Sequence, residues 1–284
     1  MASSVDLSRA YRHCRQIAFG HYENFPVASV LMPQPQRDAI AAIYAFARSA
    51  DDFADEPAFA ADRVGLLRDW KRRLDRAPAG HPVFVALQDA RRRWRLPKPL
   101  LVDLVDAFLQ DCRQARYANF KQVLGYCRRS ANPVGRLLLR VFGLDTARNL
   151  ADSDAICTGL QLANHWQDLG KDVRLRDRVY LPLDEMRRHG VTVAQLKRGE
   201  FNPALRGLMR FQVDRAEACF AQGEGLMGRL PGRLGLELRL TLLGGRAVLA
   251  KIRAQGYDTL ARRPSLGWFD GAGLLAKAAL GRLR

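Results

Sequence analysis

Asn164-His165-Trp166-Gln167-Asp168-Leu169-Gly170-Lys171-Asp172 is the stretch on which the reading of this chain turns. Read as helix, it stacks Asn164, Asp168 and Asp172 at i, i+4 and i+8, three oxygen-bearing side chains along one face. The run before it, Ile156 to Ala163, is almost free of charge, so the helix is expected to come from the interior and carry its acids into a cavity. Such a row of oxygens suits a hard divalent cation like Mg²⁺, which shares its coordination with phosphates and water. A merely solvated polar face would have the same spacing. A second acidic cluster upstream breaks the tie.

That cluster is Arg48-Ser49-Ala50-Asp51-Asp52-Phe53-Ala54-Asp55-Glu56, the end of a helical run that begins near Gln36 with Ile40, Ile43, Tyr44 and Ala47 on one stripe and stops at Pro57. Asp51 and Asp55 repeat the i, i+4 spacing of Asp168 and Asp172. Like charges one turn apart destabilise a bare helix by a few tenths of a kcal/mol, roughly. Two such pairs make sense if cations sit between them. Arg48, a turn before Asp51, can neutralise it or reach a bound phosphate.

The rest of the chain reads as further helices. Residues 3–22, 62–74 and 81–95 carry helical spacing, and Pro97 and Pro99 open another with Leu101, Leu104, Val105 and Phe108 buried. Phe120 to Leu139 follows, and Asn132-Pro133 inside it predicts a kink or break. The organising helix is expected to begin near Asp152. Arg178-Val179-Tyr180-Leu181-Pro182 reads as a loop before a short helix, Leu183 to His189, and 202–229 and 235–261 as the last long helices. With few alternating runs and no repeat or low-complexity linker, 1–284 reads as one all-α domain, a helical bundle around a central apolar cavity.

Charge and cysteines narrow the setting. The 284 residues carry a formal charge of +17, five scattered cysteines without a CxxC pair, and no HExxH spacing. This points to a reducing compartment with neither disulfides nor structural zinc. The first residues lack an apolar signal core, and no long uncharged apolar run occurs, so a cytoplasmic protein is expected. No nucleic-acid motif accompanies the basic run Arg91-Arg92-Arg93-Trp94-Arg95, so no nucleic-acid partner is expected. Residues 246–284 hold eight basic residues against two acidic ones, with Trp268, Phe269, Leu274, Leu275 and Leu280 among them. The basic amphipathic segment 262–284 therefore suits peripheral contact with an anionic inner-membrane surface, or a last helix packed on the core with a solvated face. Gly223-Glu224-Gly225-Leu226-Met227-Gly228 matches GxGxxG, but without a strand before it the context of a dinucleotide site is missing, and no NADPH is expected.

Two acidic clusters facing one apolar cavity can bridge Mg²⁺ ions and a diphosphate, so that an allylic or cyclopropylcarbinyl C–O bond ionises. Greasy walls would hold isoprenoid chains and keep stray water from a carbocation. Arg48, Lys171, Arg174 and Arg178 suit the diphosphate oxygens. The faces of Tyr44, Tyr126 and Trp166 can stabilise a cation, or these rings are plain core.

Tyr44-Ala45-Phe46-Ala47-Arg48 followed by Asp51 to Asp55, then Tyr126-Cys127, the 164–172 stretch and Arg178 to Pro182, resembles the squalene/phytoene synthase family from about residue 7 to 265. The resemblance implies an isoprenoid-synthase fold and metal ligands at Asp51, Asp55, Asn164, Asp168 and Asp172. It also implies substrate contacts from His21, Tyr44, Arg48, Lys171, Arg178 and Tyr180, and a functional Tyr126. Where that family usually has valine-alanine-glycine after the Tyr-Cys pair, this chain has Ser130-Ala131-Asn132-Pro133. With the run at 21–33, this is similar to the hydroxysqualene synthase branch of bacterial hopanoid pathways. That branch implies presqualene diphosphate as substrate, handed over by a presqualene diphosphate synthase, and water as the trap for the cation, without a reductant. Asn132 is a candidate to position that water. Two other readings stay open: a head-to-head prenyltransferase making presqualene or prephytoene diphosphate, and a non-catalytic relative serving as a scaffold.

Overall fold

The computed structural model of the chain describes residues 4–20, 32–75 and 80–281, and the side chains at 4–6, 268 and 269 lie outside that description. His21 and most of the 21–33 run also fall outside the described residues. Every regular element described is helical, and extended pairing is limited to an isolated bridge between Arg116 and Val179. The fold is all-α. By internal contacts the chain divides into two compact units, residues 1–113 with 133–150 and residues 114–132 with 151–284.

The first unit is built on α2 (Gln34–Asp55), with α1 (Ser4–Gly20), α3 (Arg63–Arg72), α4 (Pro82–Trp94) and α5 (Lys98–Asp111) around it. Pro33 and Pro35 open α2, where a missing N–H costs nothing, and an extended Glu56 before Pro57 closes it. Its buried face is largely alanine (Ala39, Ala42, Ala50, Ala54), which lets neighbouring helices approach closely. Phe46 anchors that face: its ring stacks on Trp70, and the Trp70 indole N–H donates to the Phe46 carbonyl at 3.1 Å. Each buried ring of this kind contributes about 2–3 kcal/mol of transfer free energy.

The second unit contains α6 (Phe120–Ser130), most of α8 (Ala147–Gln167), α9 (Leu169–Arg176), α10 (Leu183–Arg188), α11 (Val193–Lys197), α12 (Pro203–Gly223), α13 (Gly232–Ala254) and α14 (Trp268–Ala279). The buried ring of Phe220 on α12 fills the space over Gly159 of α8 and Gly245 of α13. A Cβ at those glycines would lie 2.8 and 2.6 Å from the ring, so only glycine lets the three helices close. Buried Glu185 on α10 accepts from Gln212 at 2.5 Å and from Arg215 at 2.8 and 3.0 Å, which fixes α10 on α12.

The expected break falls where Asn132-Pro133 predicts it: α6 ends at Ser130, and α7 (Asn132–Val141) starts after Ala131. Four expectations change. The helix expected over 202–229 ends at Gly223, and residues 224–228 form a 3-10 turn. The organising helix begins at Ala147 rather than near Asp152, because Thr146 Oγ accepts from the Asn149 N–H and caps it. α13 ends at Ala254, not 261, since Gly256 and Tyr257 both take φ of +70°. The single helix expected through Asn164, Asp168 and Asp172 is interrupted at Asp168, whose φ of −97° and ψ of 7° separate α8 from α9.

Candidate functional site

Asp51 and Asp55 occupy the last turns of α2, both half-buried. Arg48 on the same helix pairs with Asp51 at 3.2 Å and with Asp52 at 2.7 Å, so the turn carries its own countercharge. Phe53, between the acids, points its ring into Phe59 and Trp70, with edge contacts at 5.1 and 5.3 Å. That anchor fixes the rotation of the helix end. Tyr44 and Arg48 lie one turn apart on this helix and are also half-buried.

The second cluster is more enclosed. Asn164 is exposed, whereas Asp168 and Asp172 are only 8% and 7% exposed. Despite the interruption, the Asp168 N–H donates to the Asn164 carbonyl at 2.9 Å and the Asp172 N–H to the Asp168 carbonyl at 2.8 Å. The i, i+4, i+8 row therefore survives across two helices. Burial pushes the Asp172 carboxyl up to about 6, while Arg176, bonded to it at 3.0 Å, pulls the other way. Arg263 pairs with Asp168. Arg178 is buried, with its N–H bonded to the Asp172 carbonyl, and Lys171 stands half-buried between the acids in sequence.

A strap holds this stretch from outside. Gln167 Nε2 donates to the Pro264 carbonyl at 2.7 Å, Arg174 to the Leu260 carbonyl at 2.6 Å, and the Gly170 N–H to the Thr259 carbonyl at 3.3 Å. Segment 259–264 thus lies along α9 and supplies Arg263. A Cβ at Gly170 would sit 2.5 Å from the Leu260 carbonyl oxygen, so glycine is required for the approach. Sequence reading missed Arg263, since nothing in the Arg262-Arg263-Pro264 run announces a partner so far along the chain.

Beside the acids stands an aromatic wall. The Arg178–Pro182 loop is tied to the segment before α6 by the Val179 N–H to the Ala115 carbonyl and the Leu183 N–H to the Tyr117 carbonyl, both 2.9 Å. This places Tyr180 flat against His165, 3.7 Å between centroids and 13° between planes, with Tyr117 at 5.4 Å and Tyr126 at 5.5 Å. Burial lowers the His165 imidazole to about 3, so it is neutral. Tyr126 and Tyr180, singled out from the sequence, therefore meet; Tyr117 and His165, which complete the wall, were not singled out. Asn132 is buried, and its Oδ1 accepts from the Thr158 hydroxyl at 3.2 Å. Thr158 is the one hydroxyl in the uncharged run 156–163 of α8, a signal that the sequence carries.

The donor set of the second cluster, two carboxylates and an amide oxygen without thiol or imidazole, is of the kind a hard cation takes. Among the described residues, no three His, Cys, Asp or Glu side chains stand together as a metal cluster; the two buried carboxylates are balanced by arginines. The Gly223–Gly228 run lies at the end of α12 and in a 3-10 turn, with no strand before it.

The sequence profile for squalene/phytoene synthase matches residues 19–270. The hydroxysqualene synthase of Zymomonas mobilis is 35% identical over 93% of this chain and 90% of its own. The 15-cis-phytoene synthase of Synechococcus elongatus is 33% identical over 91% of this chain and 89% of its own. The crystal structure of squalene synthase HpnC from Alicyclobacillus acidocaldarius superposes with a TM-score of 0.82 at 38% identity, covering 90% of this chain and 97% of that one.

Proposed function

The chain belongs to the squalene/phytoene synthase family, and from that premise we propose that it converts presqualene diphosphate and water into hydroxysqualene and diphosphate. The observation that carries this reading is Asn132, buried and held by Thr158 at the start of α7, in the segment where the chain departs from the common family run. A polar amide there is suited to hold one water near a cation that the rest of a greasy site would protect. Both its position and its orientation are fixed, which is what a positioning group needs.

In this reading Asp51, Asp55, Asn164, Asp168 and Asp172 would hold Mg²⁺, whose chemistry is to neutralise the leaving diphosphate. Arg48, Lys171 and Arg178 bind the diphosphate oxygens, and His21 is assigned to the same end of the substrate. The C–O bond breaks with its electron pair leaving on diphosphate. The ring face of Tyr126 stabilises the rearranging cation, Tyr180, stacked on His165, backs that ring on the substrate side of the wall, and Tyr44 shapes the chain pocket. The water held by Asn132 forms the new C–O bond and gives up one proton to the released diphosphate. No hydride enters, so the reaction needs no NADPH, and the substrate comes from an enzyme that forms presqualene diphosphate.

The similarity to a phytoene synthase over nearly the whole chain favours a second reading, head-to-head condensation of two prenyl diphosphates. Product analysis with purified protein and Mg²⁺, without reductant, separates the two. Presqualene diphosphate and farnesyl diphosphate are supplied separately beside an Asp168→Ala control. Hydroxysqualene from presqualene diphosphate, lost in the control, supports water trapping. Presqualene diphosphate formed from farnesyl diphosphate moves the chain to the condensing branch. No product from either substrate supports a scaffold.

A further inference from the structure

Surface helices in a water-soluble protein normally turn charge outward. α14 does not. It packs on α13 through buried Ala278 and half-buried Leu274, and its one acid, Asp270, is bonded to Lys251 of α13 at 2.7 Å. Its outward side shows Ala272, Leu275, Ala276, Ala279 and Leu280, with Lys277 as the single charge among the exposed positions from 271 to 280. Leu275 is 51% exposed and Leu280 69%. At the 100° step of a helix these apolar residues span an arc of roughly 140°. A singly exposed leucine needs no explanation, but a whole outward helix face without acids does.

We propose that α14 docks this protein on the surface of an anionic lipid bilayer, lying in the headgroup plane with Leu275 and Leu280 inserted. Charge complementarity selects this occupant. Beside Arg263, which is paired with Asp168, and Asp270, which is paired with Lys251, residues 262–284 carry Arg262, Lys277, Arg282 and Arg284, and the whole chain is +17. A second copy would set one basic C-terminal segment against another, whereas acidic phospholipids neutralise its charge. Twelve residues make a helix of about 18 Å, enough to lie in an interface and too short to cross one. Among the described residues, no helix is long and apolar enough to span a membrane. The acid that would oppose docking is already taken by Lys251, so the attraction is not cancelled locally.

Sedimentation of the full chain with phosphatidylcholine vesicles, with and without phosphatidylglycerol, tests this without any substrate, so its outcome is separate from the catalytic reading. Binding is expected on the anionic vesicles alone and should weaken with salt. Leu275→Ser with Leu280→Ser should reduce partitioning at least about tenfold, and Lys277→Glu about fivefold or more. Val134→Ser, at a comparably exposed apolar residue on α7, should leave binding unchanged. The substituted side chains are solvent-exposed, so unchanged thermal melting will show the variants folded. Equal binding to neutral and anionic vesicles, no binding, or wild-type binding by the double leucine variant would overturn the proposal. So would a dimer in sedimentation velocity that the leucine substitutions dissolve, since the face would then belong to a second copy.

Discussion

Asp51 and Asp55 end an unbroken helix, half-exposed, with Asp51 countered from within its own turn by Arg48, whereas Asp168 stands at a helix interruption one turn before Asp172, both nearly buried, with Asp168 countered by a guanidinium from residue 263. Both pairs share one spacing. Their costs differ, because removing a carboxylate from water is expensive and an exposed one pays little. The first pair can be formed by its own helix. The second needs the 259–264 strap and a glycine thin enough to admit it. Identical local patterns are thus met by different means, and the enclosed pair is the one whose loss should be felt most.

The largest expected effect follows directly. Asp168→Asn should lower diphosphate release from presqualene diphosphate by at least ~10³-fold, in line with losing a main electrostatic support of a developing charge. Asp51→Asn should cost less, on the order of 10²-fold, because its half-exposed site lets water substitute in part. Equal losses, in rates measured at saturating Mg²⁺, would break the asymmetry between the pairs.

Next comes the strap. Gly170→Ala drives a methyl into the Leu260 and Thr259 carbonyl oxygens, at 2.5 and 2.8 Å. Neither can move without giving up the bonds that hold α9 to segment 259–264. Destabilisation of about 2–4 kcal/mol is expected in urea unfolding. Gly125→Ala on α6, where nothing lies within 4 Å of the added carbon, should be neutral or stabilise by about 0.5–1 kcal/mol. A tolerant Gly170 would mean that the second pair, like the first, is sustained by its own helices.

The two regions also differ in how far they could be read from sequence. For Asp51 and Asp55, the decisive residues lie close by on the same helix: Arg48 one turn before Asp51, and Pro57 that ends it. All of that was legible. For Asp168 and Asp172, the spacing was legible and the continuous helix was not, since the bonds to Thr259, Leu260 and Pro264 are invisible to periodicity. The break at Ala131 was readable because proline acts locally. The Thr158–Asn132 bond was not, because the two residues are 26 positions apart and no local pattern pairs them. The start of α8 was misplaced because the Thr146 cap was overlooked, and α11 is only five residues long, too short for a periodic signal.

That Thr158–Asn132 bond sharpens the comparison in a different readout. Thr158→Val removes the hydroxyl at nearly constant volume and leaves the Asn132 amide free to turn. Diphosphate release should stay within about twofold. The ratio of hydroxysqualene to elimination products should fall several-fold, by on the order of 1 kcal/mol in the partition. Thr158→Ser should restore it, and Asn132→Ala should lower the ratio at least as far. An unchanged ratio in both the valine and alanine variants would remove Asn132 from water positioning while leaving the ionising machinery in place.

The smallest effect belongs to the self-sufficient pair. The Arg48–Asp52 contact at 2.7 Å joins side chains that are 20% and 27% exposed, a setting in which an ion pair contributes about 0–1 kcal/mol. Asp52→Asn should therefore shift the urea midpoint only slightly. Arg48 keeps Asp51 at 3.2 Å, so its guanidinium still has an anchor and is freer to swing toward a diphosphate. Turnover should change less than about threefold, and the substrate KM should stay level or fall. A larger loss of stability would show that the exposed pair leans on its ion pairs as heavily as the buried one. A raised KM with intact stability would instead show that Asp52 aims Arg48, which would give the half-exposed turn a positioning role of its own.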